Sequence, residues 1–344
     1  MFSLSNHPGR IAIINGKECL FFSGYGYLGM QDVPAFTALV KEGIDKYGWL
    51  FPSSRISNTQ LAIFDEMETL LNKHLGTAET VCMPSGFSAG TVAATLYKGH
   101  PTAICPEAHP AINKIQQPPQ TFDKWAEQTL HALHEKVFDK TPVLITDAVN
   151  PLTGEVNDMD FLHYIEKPLI VIVDDSHGIG IIGEHGTGIA SLLPKKANIE
   201  YIITYSLSKA IGMQGGAISC TNTLVANSIR QMHEYTASTS LSPALAYAFI
   251  KGQALYQQQR KQLLHNIARF RPMALTKSYI TNDERLPIFV LPPHLDATYF
   301  ARHQVVISSF AYPDMHGKKV NRIVLNALHT QQDLEQLAQI LNSQ

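Results

Sequence analysis

Apolar positions along this chain follow two rhythms, and the change between them sets out its organisation. Between residues 79 and 220, short runs that are apolar through most of their length alternate with helix-like stretches: ETVCM, PTAIC, TPVLITDAV, PLIVIVDD, EYIITYS and GGAIS. Runs without polar alternation suit strands covered on both faces, so the pattern predicts an α/β layer with a largely parallel sheet. Before it, RIAII and ECLFF flank Asn15 and Gly16, a hairpin signature, and 33–47 read as a helix. Leu61, Phe64, Met67, Leu70, Leu71 and Leu75 fall on one helical face that Gly76 terminates. A long helical pattern runs from Leu241 to about Arg269. LPIFVLP, VVISSFAYP and NRIVLNAL then read as strands, and a final helix spans Gln331 to Leu341. The expected domains are a large one over 51–240 and a small α+β one over 241–344, with the N-terminal segment 1–50 joining the small domain.

Composition narrows the class. Of 344 residues, 45% are hydrophobic and 16% charged, which is a globular balance. The net charge of −2 arises from 27 basic and 29 acidic residues with no block of either sign, so nucleic-acid binding has no support. Cys19, Cys82, Cys105 and Cys220 are scattered without CxxC or metal-ligand spacing, and the last three lie in strand-like runs. That is the setting of reduced core thiols, and no metal is expected. MFSLSNHPGR lacks the order of a signal peptide, and no apolar run reaches membrane-span length. A soluble cytoplasmic protein is the expectation.

The candidate chemistry gathers where strand-like runs end. YIITYSLSKAIGMQGG places Lys209 in a hydroxyl-rich turn after a strand. Burial there would lower its pKa and leave part of it neutral, as Schiff-base chemistry requires, although from this segment alone an ordinary lysine after an edge strand is the favoured reading. PLIVIVDDSHGIGIIGEHGTG delivers Asp174 and Asp175 at a strand's carboxyl end, with His177 two residues on. Ligands bind at such ends in open α/β sheets. Gly178, Gly180 and Gly183 satisfy the dinucleotide pattern GxGxxG, but two acids and a histidine intervene before the first glycine. The glycines also continue through Gly186 and Gly188, as in an irregular loop. Pro84–Ser88 lies between a strand and a helix beginning near Ala89. Its amides could hold a phosphate, or Ser85 could be a plain helix cap. His109 follows another strand, and Thr239 sits among apparent capping residues before Pro243. An anion cradle, histidines, an acid and a lysine at successive strand ends together match the needs of one cofactor, pyridoxal 5'-phosphate (PLP).

At this point a family resemblance becomes specific. VDDSHGIGIIGEHGTG resembles VDEAHSxGxxGxxGxG, and SLSKAIGMQGG resembles TxGKAxGxxGG, of the α-oxoamine synthases. These are the fold-type I PLP family that includes 8-amino-7-oxononanoate synthase and 2-amino-3-ketobutyrate CoA ligase. YGYLGM, SSRIS, PSGFSAG, AHPAI, STSLSPALA and RIVLNALHTQQDLEQL find counterparts in the family's order. The resemblance implies that Lys209 forms the internal Schiff base and moves the α-proton. Asp174 would pair with the pyridine nitrogen, His177 would bond the ring hydroxyl and His109 would stack on the ring. Gly86, Phe87 and Ser206 would hold the phosphate. Thr239 would reach the phosphate of a neighbouring subunit, so a homodimer with a shared active site is implied. Arg322 would grip the substrate carboxylate, with Tyr25 beside it where the family usually has asparagine. The implied reaction condenses an amino acid with an acyl thioester, of CoA or an acyl carrier protein, and loses CO2 to give an α-amino ketone. The chain is shorter than most members. Ser206 stands for a usual threonine, Pro151 for a serine, Phe64 for a frequent histidine and Thr59 for a glycine. An aminotransferase, or a cofactor-holding relative with altered or lost activity, is the alternative.

Overall fold

The computed structural model describes residues 3–113, 115, 118, 120–275, 280–312 and 316–343. It divides into two compact units, a large one of Thr37–Asn150 with Asn157–Gln253 and a small one of Met1–Phe36, Pro151–Val156 and Ala254–Gln344.

The large unit is built on a six-stranded sheet. Its order is Glu79–Met83, Gly216–Cys220, Ile199–Ser206, Leu169–Asp174, Val143–Asp147, Thr102–Ile104. The last four run parallel, while Gly216–Cys220 is antiparallel to both of its neighbours. Every residue of Val143–Asp147, Leu169–Asp174 and Gly216–Cys220 is buried, as their unbroken apolar runs require. Helix Ile63–Leu75 buries Ile63, Phe64, Met67, Leu71 and Leu75, each contributing roughly 1.5–3 kcal/mol. Gly76 ends it in the left-handed conformation, its N–H returning to the Asn72 carbonyl. The mostly parallel α/β sheet expected from the sequence is therefore present.

The small unit carries a five-stranded sheet ordered Ile11–Ile14, Lys17–Phe22, Val305–Ala311, Lys319–Val324, Ile288–Leu291. Asn15 and Gly16 both take positive φ (51° and 74°), as the tight hairpin turn between the first two strands demands. Lys17–Phe22 then pairs in parallel with Val305–Ala311, so the N-terminal hairpin completes a C-terminal sheet.

Several boundaries differ from the sequence reading. The pattern from Leu241 to Arg269 forms two helices, Pro243–Lys251 and Gln253–Ala274, broken at Gly252. The first belongs to the large unit because it packs on helix Pro34–Tyr47. Gly43 there lies against the Ala244 backbone, and the Tyr247 hydroxyl donates to Glu42. The large unit thus extends to both sides of 51–240. Pro151–Val156 belongs to the small unit, where the Gly154 carbonyl accepts from the Asp283 N–H at 3.0 Å. The helix placed near Ala89 starts at Gly86, and the run read as a strand to Pro313 is strand as far as Ala311. Pro313 lies outside the described residues. Cys82, Cys105 and Cys220 are buried thiols, and Cys19 is half-buried.

Candidate active site

The parallel strands of the large unit bring their carboxyl ends, and the residues that follow, to one edge of the sheet. Asp174 closes Leu169–Asp174 and stands in register between Asp147 and Thr204 on the adjacent strands. It is 6% exposed, and its Oδ1 accepts the Ser176 N–H at 2.9 Å. Asp175 is fully buried; its Oδ2 accepts the Ile189 N–H at 2.9 Å, while Oδ1 has no partner among the described residues. Burial pushes this carboxyl well above the usual range.

Asp175 also explains the glycine-rich stretch. A Cβ at Gly178 or Gly188 would collide with its carboxylate oxygens, so those positions must be bare for the loop to fold over the acid. Gly180, Gly183 and Gly188 take positive φ, and the stretch forms turns and two short 3-10 segments rather than a helix start. The GxGxxG pattern here encloses a carboxyl group and offers no dinucleotide cradle.

Lys209 lies three residues beyond Ile199–Ser206, in a turn closed by bonds from Leu207 N–H to Gly215 O (3.0 Å) and Met213 N–H to Leu207 O (2.9 Å). Burial lowers its pKa from 10.5 to about 8, and the neighbouring acids, Asp174 foremost, partly offset that fall. The lowered pKa is the condition that Schiff-base chemistry sets. His109 is held by its own N–H, which donates to Asp147 Oδ2 at 2.8 Å, and its Nδ1 accepts the Ala111 N–H at 3.1 Å. That arrangement assigns the ring proton to Nε2. Burial lowers the imidazole's pKa, Asp174 opposes the shift and Lys209 adds to it. His177 is half-buried in the turn directly after Asp175, where the Gly178 N–H returns to the Asp175 carbonyl.

The anion cradle forms where helix Gly86–Thr95 meets the end of Ile199–Ser206. Ser85 caps the helix by accepting the Ser88 N–H at 3.1 Å within a capping box. The amides of Gly86 and Phe87 belong to the same first turn, where N–H groups have no intrahelical acceptor. A Cβ on Gly86 would come within 2.6 Å of Ser206 Cβ and 2.7 Å of its Cα, so this helix and strand approach closely only because residue 86 is glycine. The Ser206 and Ser208 hydroxyls lie 2.8 Å apart beside it. Phe87 is exposed, its ring edge-on to His109 at 6.5 Å. Thr239 stands outside this bonding. It is exposed and forms an antiparallel bridge with Ser54.

In the small unit, Arg322 is 1% exposed on strand Lys319–Val324. Its Nη1 donates to the Pro151 carbonyl at 2.9 Å, and Nε and Nη2 have no partner among the described residues. The guanidinium carbon lies 4.9 Å from the Phe310 ring centroid and 5.7 Å from that of Tyr25. A buried cation with two unmet donors is costly until a two-oxygen anion meets them.

The residue that sequence reading passed over is Asp147, buried at the end of Val143–Asp147. Its signal was available, since TPVLITDAV delivers an acid after an apolar run just as PLIVIVDD does.

An amide cradle, a buried acid, a low-pKa lysine and an imidazole on one sheet edge fit PLP in the chemistry of each donor. Similarity to known proteins points the same way. The profile of the family described as aminotransferase class I and II matches residues 21–341. The chain belongs to that family. Within it, an 8-amino-7-oxononanoate synthase of Thermosipho melanesiensis is 25% identical over 97% of this chain and 90% of its own length. The namesake from Photobacterium profundum is 27% identical over 95% and 88%. Among solved structures, a lysine-to-alanine variant of a serine palmitoyltransferase from S. paucimobilis with a bound PLP–myriocin aldimine has a TM-score of 0.86 at 17% identity, covering 100% of this chain and 92% of that one. The 8-amino-7-oxononanoate synthase of Francisella tularensis has a TM-score of 0.72 at 21% identity, covering 94% and 97%. These likenesses bear out the fold-type I architecture expected from the sequence.

Proposed function

We propose that this family member is a PLP-dependent C-acyltransferase of the α-oxoamine synthase kind, with an amino acid and an acyl thioester of CoA or acyl carrier protein as substrates. The observation that carries this reading is the lysine whose pKa falls to about 8, in electrostatic reach of Asp174 on the edge that also holds the Gly86–Phe87 cradle. When bound, PLP supplies an electron-withdrawing ring that stabilises negative charge on the amino acid's α-carbon.

The chain's own residues do the rest. The amides of Gly86 and Phe87, with the Ser206 hydroxyl, bind the phosphate. Asp174 holds a negative charge for the pyridine nitrogen, His177 bonds the ring hydroxyl and His109 covers the ring face. Arg322 offers Nε and Nη2 to the amino acid's carboxylate, with Tyr25 beside it. Lys209 takes the α-proton onto Nζ. A carbon–carbon bond then forms between that α-carbon and the thioester carbonyl as the thiolate leaves. The carboxylate departs as CO2, and a proton returned to the α-carbon gives the amino ketone.

We further infer a homodimer in the cytoplasm. Trp49, Leu50, Ile56 and Phe87 are exposed, and Thr239 sits beside the 49–56 stretch through its bridge to Ser54. A second copy covering this surface would place Thr239 at the partner's phosphate. The free cysteines suit a reducing compartment.

The test is a panel of amino acids and acyl thioesters, read by thiol release and CO2. Turnover with one pair that disappears in Lys209→Ala supports the reading. Exchange of amino groups between keto acids with no thioester requirement supports an aminotransferase instead.

A further inference from the structure

Asp147 has no part in the roles above, yet it sits at their centre. It ends Val143–Asp147 in register with Asp174, so the two acids stand side by side on adjacent parallel strands, about 4.8 Å apart along the ladder. Its backbone is fixed, because its carbonyl accepts Asn157 Nδ2 at 2.8 Å and the next N–H, of Ala148, donates to the Asp174 carbonyl at 2.8 Å. Its side chain reaches out of the strand to the backbone of His109, whose described neighbours from 105 to 113 form turns and not strand or helix.

Two adjoining buried carboxyls do not both ionise cheaply. The groups that act on Asp147 are Asp174, Lys209, His109 and the buried thiol of Cys105. Burial first, and Asp174 next, push the Asp147 carboxyl well above the usual range, while the His109 N–H and Lys209 oppose that shift.

We propose that Asp147 is a positioning residue: its side-chain oxygen, as a hydrogen-bond acceptor, holds His109 by the backbone N–H and so sets that ring against the cofactor. This rests on the PLP reading of the site. An asparagine at 147 is neutral and keeps a side-chain oxygen for the His109 N–H, whereas alanine removes the acceptor.

The test compares Asp147→Asn and Asp147→Ala in cofactor-free and PLP-loaded protein. In Asp147→Asn, the His109 amide keeps its exchange protection, PLP binds within about threefold of the wild type, and the visible circular dichroism of the bound cofactor is unchanged. In Asp147→Ala, His109 amide exchange quickens and PLP affinity falls, each by about tenfold or more, and the dichroism changes. A merely structural role would lower the melting temperature without this split between the variants. An Asn variant as impaired as Ala overturns the proposal, because an ionised carboxylate is then required. An Ala variant that matches the wild type in exchange and dichroism also overturns it. If Ala fails to fold, the Asn variant decides alone. Its His109 exchange protection and PLP affinity match the wild type's if an oxygen acceptor is what position 147 supplies, and both fall if it is not. Failure of the wild type to bind PLP would overturn the cofactor reading, whereas His109 exchange in the cofactor-free protein reads the Asp147 contact independently.

Discussion

Replacing Asp174 by asparagine perturbs Lys209 in a direction opposite to intuition for a site that loses its acid. Burial drives the lysine down to about 8, and Asp174 is the foremost group opposing that fall. With a pKa near 8, about a quarter of Lys209 is neutral at pH 7.5, against about one part in a thousand for a lysine at 10.5. That is a gain of about two hundredfold in nucleophilic amine. Removing an adjacent opposite charge moves a pKa by about one unit or more, so Asp174→Asn places Lys209 near or below about pH 7. The assay is the pH dependence of reductive methylation at Lys209 in cofactor-free protein, read by peptide mass spectrometry. A wild-type midpoint near 10, or an unchanged or raised midpoint in Asp174→Asn, would show that burial and Asp174 do not set the Lys209 pKa. The same shift has a stability signature. Between pH 8 and 10.5 the unfolded chain binds the proton that the folded one has released, so stability rises with pH across that window. The rise is at most about 3 kcal/mol, less where water reaches the half-buried side chain, and Lys209→Met abolishes it.

Gly86→Ala drives a Cβ to 2.6 Å from Ser206 Cβ and should cost about 1–3 kcal/mol in stability. Because helix and strand must part at the cradle, inorganic phosphate and PLP should both bind at least about tenfold more weakly, as read by fluorescence titration. His329 gives the protein an acid limit. Burial lowers its pKa from 6.5 to about 4, and Nδ1 already accepts the Asn326 N–H. Its contribution is complete above pH 6.5 and is lost as pH falls towards 4, up to about 3 kcal/mol. Urea midpoints over that range should show the loss, and a histidine-to-glutamine change at 329 should flatten it. Arg322→Lys removes the fork of donors. It should raise KM for the amino acid by about tenfold or more while leaving PLP affinity unchanged.

The parts of the site legible in the sequence are those where an apolar run stops abruptly at a chemical group. Asp174 and Lys209 were readable in this way, and so was the large unit's parallel sheet. Asp147 obeys the same rule but was passed over because its strand carries on into Ala148 and Val149 in the pattern, while the paired strand ends at Asp147. Arg322 was visible only through family resemblance, because nothing local marks an arginine on a strand as buried with two unmet donors. The break at Gly252 was hidden by apolar periodicity that continues through it, and the short helix Ala297–Arg302 is less than two full turns, too brief to display a period. The glycine-rich loop was read as irregular from its spacing, but the reason for Gly178 and Gly188, the buried carboxyl of Asp175, needed three dimensions.

The central claim is that Lys209 holds PLP through an imine. The direct measurement is borohydride reduction of PLP-loaded protein followed by peptide mass spectrometry. A reduced pyridoxyl group is expected on the peptide bearing Lys209, and none in Lys209→Ala. A pyridoxyl group on another lysine, or protein that cannot be loaded with PLP at all, contradicts it.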